Sequence, residues 1–421
     1  LKKETIMIEP STLAPKTCPH LGEAFQPFVN PQLDDPYSFY KQARRDKPIF
    51  FSPLFNAYVL TRYDDILTVL KDPVRFSSAN SLQSVQNYTP EVIDVLRQGF
   101  PIGGLVFSDG DLHKRLRTPL LKALAPERLQ MMEGSICAIA NRLVNQFIHD
   151  GHADILAQFA YPLTLEVIFT MLGVPLDKMT EVKEWGSAST DLFSSQLTPE
   201  RQIDCARKVV ALQRCLMDLV EERRIAPRND FISELQAGDL TMLEVAQLSM
   251  EMIVAGHKTT ANLIGTALKL LLERDGLWQA LCNDASLIPA ALEEALRYDT
   301  PALSMIRMTT EAVNLGGVDL PKDTRVLILY GSANHDEAQY RNADRFEIDR
   351  FKDANANHLA FSHGIHHCTG AGLARREGRI ALAILSARLP NLRLRPNQRL
   401  TYAPAMLNRG FTALEVEWDV A

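Results

Sequence analysis

The sequence predicts a mainly α protein with a minor β lobe, and three observations carry that expectation. Apolar residues recur at spacings of three and four through most of residues 110–235, and again through 241–274. Short β-type runs, PIFFS and AYVLT near the start and RVLILYGSA and LEVEW after residue 300, stand between turn residues. Because these runs come from both ends of the chain, they imply one small β lobe built by both termini beside an α-rich lobe. The chain has 421 residues, 46% of them hydrophobic, and exceeds the length at which a single core usually divides.

In chain order, residues 1–34 read as an irregular arm, polar and punctuated by proline, leaving 35–421 as one domain. The arm holds no apolar signal core and no 18-residue apolar span, so a cytoplasmic protein without a membrane anchor is expected. A short helix is expected over 36–46, followed by a hairpin turning at 53–56. Residues 77–108 are rich in loop formers, with one amphipathic patch near 89–98. Helices are predicted over 127–149, 162–173 and 202–222.

Residues 241–274 form the strongest helical segment. Thr241 and Glu244 have capping-box spacing, and Asp275-Gly276 supplies the stop signal. At ~1.5 Å per residue such a helix runs roughly 50 Å, across the whole molecule. Its apolar residues lie nearly all round, as in a buried helix. Ala255-Gly256-His257-Lys258-Thr259-Thr260 interrupts it with poor helix formers. Two readings stand: a packing notch, or a groove where the backbone opens and a hydroxyl faces a ligand.

The net charge of −6 argues against nucleic acid as a partner and against a basic membrane-docking surface. Six cysteines, at 18, 137, 205, 215, 282 and 368, show no paired spacing, which fits a reducing compartment. One of them stands apart. Residues 361–370 read F-S-H-G-I-H-H-C-T-G, placing Cys368 after a glycine-punctuated loop and before the helix-forming run LARREGRIALAILSARL. A thiolate at a helix N-terminus is favoured by the dipole and the free N–H groups, and suits a soft axial ligand for iron. For a lone cysteine the alternative is a buried, inert side chain. Three further motifs bear on that choice. Glu294-Ala295-Leu296-Arg297 is an i,i+3 ion pair followed by Pro301 and Arg307; His113 and Arg117 share a helix face at i,i+4; and Ala333-Asn334-His335-Asp336 reads as a turn.

Together these pieces resemble the cytochrome P-450 family, the haem-thiolate monooxygenases, from about residue 36 to the end. Phe361, Gly364, His366, Cys368 and Gly370 match its cysteine loop, Glu294 and Arg297 its E-x-x-R helix, and His113 with Arg117 its H-x-x-x-R helix. The resemblance implies a P-450 catalytic domain over 35–421 whose long central helix crosses over haem b (iron protoporphyrin IX). It would make Cys368 the proximal iron ligand, with Phe361 packed near the thiolate and the glycines admitting the porphyrin. His113, Arg117, Arg307 and His366 would hold the haem propionates. Glu294 and Arg297 would lock to an arginine of a later meander, here assigned to Arg345. Gly256, Lys258 and Thr259 would stand at the oxygen-activating groove. Phe193, Val254, Ala255, Leu303, Met305, Met406 and Leu407, with the 79–106 loop, would wall the substrate pocket, and Arg409 with Lys258 would leave room for an anionic group.

Three positions depart from the family pattern. His335 replaces the arginine of the A-N-R-D turn, which leaves the fold expectation untouched. Thr369 follows the cysteine where an aliphatic residue is usual, either to tune the thiolate or to cap the helix. Lys258 takes the place of the acid that, with the threonine, relays protons; a charged ammonium cannot accept one. Lys258 therefore has three readings: it pairs with a nearby acid and leaves oxygenation intact, it binds an anionic substrate, or the oxygen cycle is altered.

The implied activity is insertion of one atom of O2 into a C–H bond of a small to medium, largely apolar metabolite. A natural-product intermediate, free or carried by a carrier protein, falls in that class and would place the enzyme in secondary metabolism. Peroxide-driven or otherwise atypical oxidation, or haem-based binding and sensing, is the alternative tied to Lys258. The chain ends about fifty residues after Cys368, so electrons from NAD(P)H are expected through a separate ferredoxin and ferredoxin reductase. Lys114, Arg115, Arg375, Arg376 and Arg379 would offer that acidic partner a basic dock.

Overall fold

The computed structural model describes residues 19–79, 86–352 and 357–420. The helical lobe is organised by the helix Met242–Leu272, 31 residues long. Thr241 Oγ1 accepts from the Glu244 N–H, and the Glu244 carboxylate accepts from the Thr241 N–H at 2.9 Å, completing the capping box the sequence spells. Tyr161–Leu172, Met179–Ser194, Pro199–Ile225, Ile288–Tyr298 and Ala371–Arg388 pack around it. That surrounding explains the apolar residues on every side of the central helix: Val245, Leu248, Ile253, Leu263, Ile264, Leu268 and Leu271 are all buried.

The β lobe holds β1 (Ile49–Ser52), β2 (Ala57–Leu60), β3 (Phe76–Ser77), β5 (Ser304–Thr309) and β8 (Arg325–Leu329), in the order β1-β2-β8-β5-β3. The β1–β2 hairpin registers Ser52 against Ala57, and β2 then runs parallel to β8. Early and late segments thus share one sheet. A second sheet orders β4 (His152–Asp154), β10 (Glu415–Glu417) and β9 (Arg393–Leu394), and β6 (Val313–Leu315) pairs with β7 (Val318–Leu320).

Several boundaries differ from expectation. The arm is not irregular throughout: residues 1–18, with Cys18, lie outside the described residues, but Pro19–Ala24 is helical. Phe25 and Phe28 are buried, with Phe25 stacked on Phe39 at 5.4 Å. Two aromatic residues in an otherwise polar stretch supply core, so the domain begins before residue 35. The run RVLILYGSA is a strand only to Leu329; Tyr330–Ala333 is a helical turn. Helix Met179–Ser194 has weak apolar periodicity because Gly186, Ser189, Thr190 and Ser194 take buried positions in place of large apolar side chains. Among the described residues, Cys137, Cys205, Cys215, Cys282 and Cys368 are free, and no helix is long and apolar enough to cross a membrane.

Candidate functional site

A cavity of about 410 Å³ opens between the central helix and the cysteine loop, a volume typical of ligand sites. Cys368 faces it. Its backbone N–H donates to Phe361 O at 2.9 Å, closing the loop, and Gly370 is the cap residue of helix Ala371–Arg388. No side chain caps that helix, so Thr369 does not take the capping role considered for it. Cys368 is solvent-accessible where it lines the cavity, with protein packed around it. Burial pushes its thiol up, against the lowering effect of the Gly370 and Ala371 N–H groups and the Arg117 and Arg375 guanidiniums. A metal that takes the proton's place would hold the thiolate against that burial.

The loop is pinned from outside. Arg375 donates to Glu293 at 2.6 Å, His358 Nε2 lies 3.0 Å from the same carboxylate, and the Arg375 guanidinium stands 4.5 Å over the Phe361 ring. Gly364 lies outside the cavity: its φ is +71°, and a Cβ there would meet Leu70 O at 2.4 Å. Its conformation is forced by this approach to the neighbouring helix. Gly364→Ala is expected to cost roughly 2–3 kcal/mol in urea unfolding, since both φ and contact are violated.

Arg117, Arg307 and His366 line the cavity, and the His113 ring lies 4.4 Å from that of His366, tilted by 59°. Arg117 donates to His367 O at 2.6 Å and Arg307 to Ile306 O at 2.8 Å; neither guanidinium has a carboxylate partner among the described residues. His113 Nε2 and His366 Nε2 are buried with no hydrogen bond, although the Asp109 carboxylate lies 3.5 Å from His366. Burial and the neighbouring positive groups hold the His366 imidazole down at about 4, and burial likewise lowers His113. Two guanidiniums and two orphaned ring nitrogens form a receptor for anionic groups, and carboxylates fit it. A haem group, with two propionates and an iron that takes a thiolate, fits this set of residues.

On the opposite wall, Val254, Ala255, Gly256, Thr259 and Thr260 of the central helix line the cavity. Thr259 Oγ1 donates to Ala255 O at 2.7 Å. A Cβ on Gly256 would meet Ile168 at 2.8 Å, so the glycine is also a packing notch. Phe193, Met305 and Leu407 line the cavity; Leu303 and Met406 do not. Leu303 packs over Gly331, and Met406 joins the aromatic cluster around Phe25 and Phe39.

Of the three readings of Lys258 the structure matches the pairing with a nearby acid, and two further expectations are corrected. Lys258 points away from the cavity, its Nζ 3.6 Å from Asp191. Arg409 is sequestered: it donates to Asp299 at 2.6 Å and to the carbonyls of Leu33 and Asp34. Arg345 does not contribute its side chain to the Glu294–Arg297 pair. Its carbonyl accepts from Arg297 at 2.9 Å, while the Arg350 guanidinium meets Glu294 at 3.1 Å. Of the basic dock, Arg115 pairs with Glu244, Arg375 with Glu293 and Arg376 with Glu133, leaving Lys114 and Arg379 without an acid among the described residues.

Two acids lining the cavity escaped the sequence reading. Glu377 is buried, with Oε2 unpartnered, and burial pushes it well above the usual carboxylate range. Glu251 accepts from the Leu105 and Val106 N–H groups at 2.9 and 3.1 Å. The signal available was a lone acid inside an apolar helix, a costly placement without a partner.

Comparison with known proteins decides the family. The Cytochrome P-450 family profile matches residues 36–399. This chain belongs to the cytochrome P-450 family. It is similar to the mycinamicin IV hydroxylase/epoxidase of Micromonospora griseorubida, 35% identical over 86% of this chain and 89% of that protein. An intact type IV self-sufficient P-450 monooxygenase matches with a TM-score of 0.89 and 33% identity over 95% of this chain; the chain spans about half (53%) of that longer protein. A third P-450, solved with an acyl carrier protein bearing hexadec-9Z-enoic acid, matches with a TM-score of 0.84 and 30% identity over 92% and 98% of the two chains. The chain is thus a P-450 monooxygenase, an oxidoreductase of a haem-dependent family that draws electrons from redox partners.

Proposed function

We propose that this P-450 inserts one oxygen atom of O2 into a C–H bond of a small to medium, largely apolar metabolite, with haem b as cofactor. The observation that carries the reading is the convergence, in one cavity, of the Cys368 sulphur, the guanidiniums of Arg117 and Arg307, which have no carboxylate partner among the described residues, and the orphaned ring nitrogen of His366. Cys368 would be the iron ligand, and those three with His113 would hold the propionates. Haem bound there supplies dioxygen activation and C–H oxidation. The chain's own part is to exclude water with Leu105, Val254, Met305 and Leu407, and to present the Thr259 hydroxyl, already ordered on Ala255 O, as a group that holds or passes a proton. Electrons would come from NAD(P)H through a ferredoxin and its reductase, docking by Lys114 and Arg379 rather than the whole basic set. A natural-product intermediate, free or on a carrier protein, is the substrate class favoured by the names of the relatives.

The reduced carbon-monoxide complex of the haem-loaded protein is expected to show a red-shifted Soret band, and labelled dioxygen is expected to enter the product. A Soret band at the position of an imidazole-ligated haem would overturn the reading.

The pairing of Lys258 with Asp191 supports ordinary oxygenation over an altered cycle, because the ammonium neither lines the cavity nor replaces the hydroxyl of Thr259. Lys258→Glu is accordingly expected to leave the fraction of reductant recovered in product within about twofold, and to cost roughly 1–3 kcal/mol in stability, since the pair is largely buried and the new carboxylate would face Asp191. A several-fold change in that fraction would return Lys258 to the relay.

A further inference from the structure

Glu251 sits on the cavity-facing side of the central helix, ahead of Gly256 and Thr259. Both of its carboxylate oxygens already accept one backbone N–H, Oε2 from Leu105 and Oε1 from Val106, so the group is held in place. The segment that donates is shaped to it: Gly104 has φ +129°, and a Cβ there would lie 2.6 Å from the Glu251 carboxyl. Each oxygen retains lone-pair capacity, and what surface the residue exposes opens into the cavity. Among the described residues, no charged side chain pairs with it. Around it stand Gln247, whose amide is engaged with Pro101 O, and the apolar Leu105, Val106, Leu248 and Met252. The other charged or titratable groups that line the cavity are Arg117, Arg307, Tyr330, His366, His367, Cys368 and Glu377, and none of them pairs with Glu251.

We infer that Glu251 is a specificity-determining residue that recognises a cationic group, such as a protonated or quaternary amine, on the substrate. A buried carboxylate with two neutral donors and no counter-charge is electrostatically incomplete, and a ligand cation in the adjoining cavity completes it. This reverses the anionic-substrate expectation, since Lys258 and Arg409, the residues that motivated it, are engaged elsewhere. Burial pushes the Glu251 carboxyl up to about 7, opposed by the two N–H donors. The inference rests on the cavity being the oxidation site.

The test uses the haem-loaded protein, whose red-shifted carbon-monoxide band is recorded first, and three probes of one chain length: n-decyltrimethylammonium, n-decanol and n-decanoate. The quaternary ammonium has no lone pair and cannot ligate iron. Dissociation constants are read both by spin-state shift and by calorimetry at pH 8.5 and pH 5.5. At pH 8.5 the ammonium is expected to bind about tenfold tighter than decanol, and decanoate weaker than either. At pH 5.5, where Glu251 is protonated, the preference shrinks to about twofold or less. In Glu251→Gln the ammonium-to-decanol ratio falls to near one at both pH values. The ratio is the readout because a disturbed 103–107 segment would weaken both ligands alike. Equal binding of ammonium and decanol by the wild type, or a preference that survives in Glu251→Gln, overturns the inference. Either result with an intact haem-thiolate band leaves the oxidation site standing.

Discussion

Replacing Cys368 with serine is expected to remove the red-shifted Soret band and to lower oxygenation by about 10³-fold or more, ~4 kcal/mol or more of barrier. The unliganded chain should be nearly as stable as the wild type. Cys368 contributes to the fold through its backbone: its N–H donates to Phe361 O, and its carbonyl accepts from Ala371. Serine keeps both bonds and leaves the cavity only slightly more polar, so a change within ~0.5 kcal/mol is expected in urea unfolding. Haem should still enter, because the donors Arg117, Arg307 and His366 are untouched. The variant should therefore bind haem with an ordinary Soret position and no oxygenase activity. Full activity in Cys368→Ser, measured with the same electron source, would remove the thiolate from the reaction. Cys282→Ser provides the matched control: its sulphur faces Pro390 O at 3.9 Å, far from the cavity lining, and spectrum and rate should be unchanged.

Local chemistry made part of this molecule readable from its sequence. The Thr241–Glu244 box, the Pro36–Asp46 helix capped by Asp35, and the β1–β2 hairpin all depend on residues within a few positions of each other. The cysteine loop was equally local, since its hydrogen bond from Cys368 to Phe361 closes within one short segment. Legibility failed where a side chain had two directions available. Lys258 and Thr259 are adjacent on one helix, yet a turn of about 100° per residue sends one to Asp191 and the other to the cavity. Leu303 and Met305 looked equivalent, but Gly331 leaves a recess that takes the leucine. Glu251 was hidden for another reason: its partners are backbone N–H groups about 145 residues earlier, which carry no residue-type signature. Only the paired Gly103-Gly104, where a Cβ would strike that carboxylate or its neighbour Gln247, hinted at a close approach.

The same distinction governs the second large effect, in the Glu294 network. Glu294 and Arg297 are both fully buried, joined by bonds of 2.7 and 2.8 Å. Arg297 also donates to the carbonyls of Asn334, Ala343 and Arg345, and Glu294 accepts from the Glu347 N–H and the Arg350 guanidinium. Glu294→Ala strands two guanidiniums, one wholly buried, and should destabilise the chain by ~3–5 kcal/mol, the cost of breaking a buried pair from one side. Arg297→Ala should cost a similar amount. Arg350→Ala removes one arm of a shared carboxylate and should cost ~1–3 kcal/mol. Arg345→Ala should fall within ~0.5 kcal/mol, because only the main-chain carbonyl of that exposed residue takes part. Urea unfolding of the four variants measures this order, and an Arg345→Ala cost equal to that of Arg350→Ala would refute it. The effect should reach the cofactor as well. Asn334, whose carbonyl Arg297 holds, accepts through its side chain from the Leu359 N–H at 2.7 Å, just ahead of Phe361. Weakening the network therefore loosens the start of the cysteine loop, and haem loss should quicken in Glu294→Ala and Arg350→Ala while Arg345→Ala retains haem like the wild type.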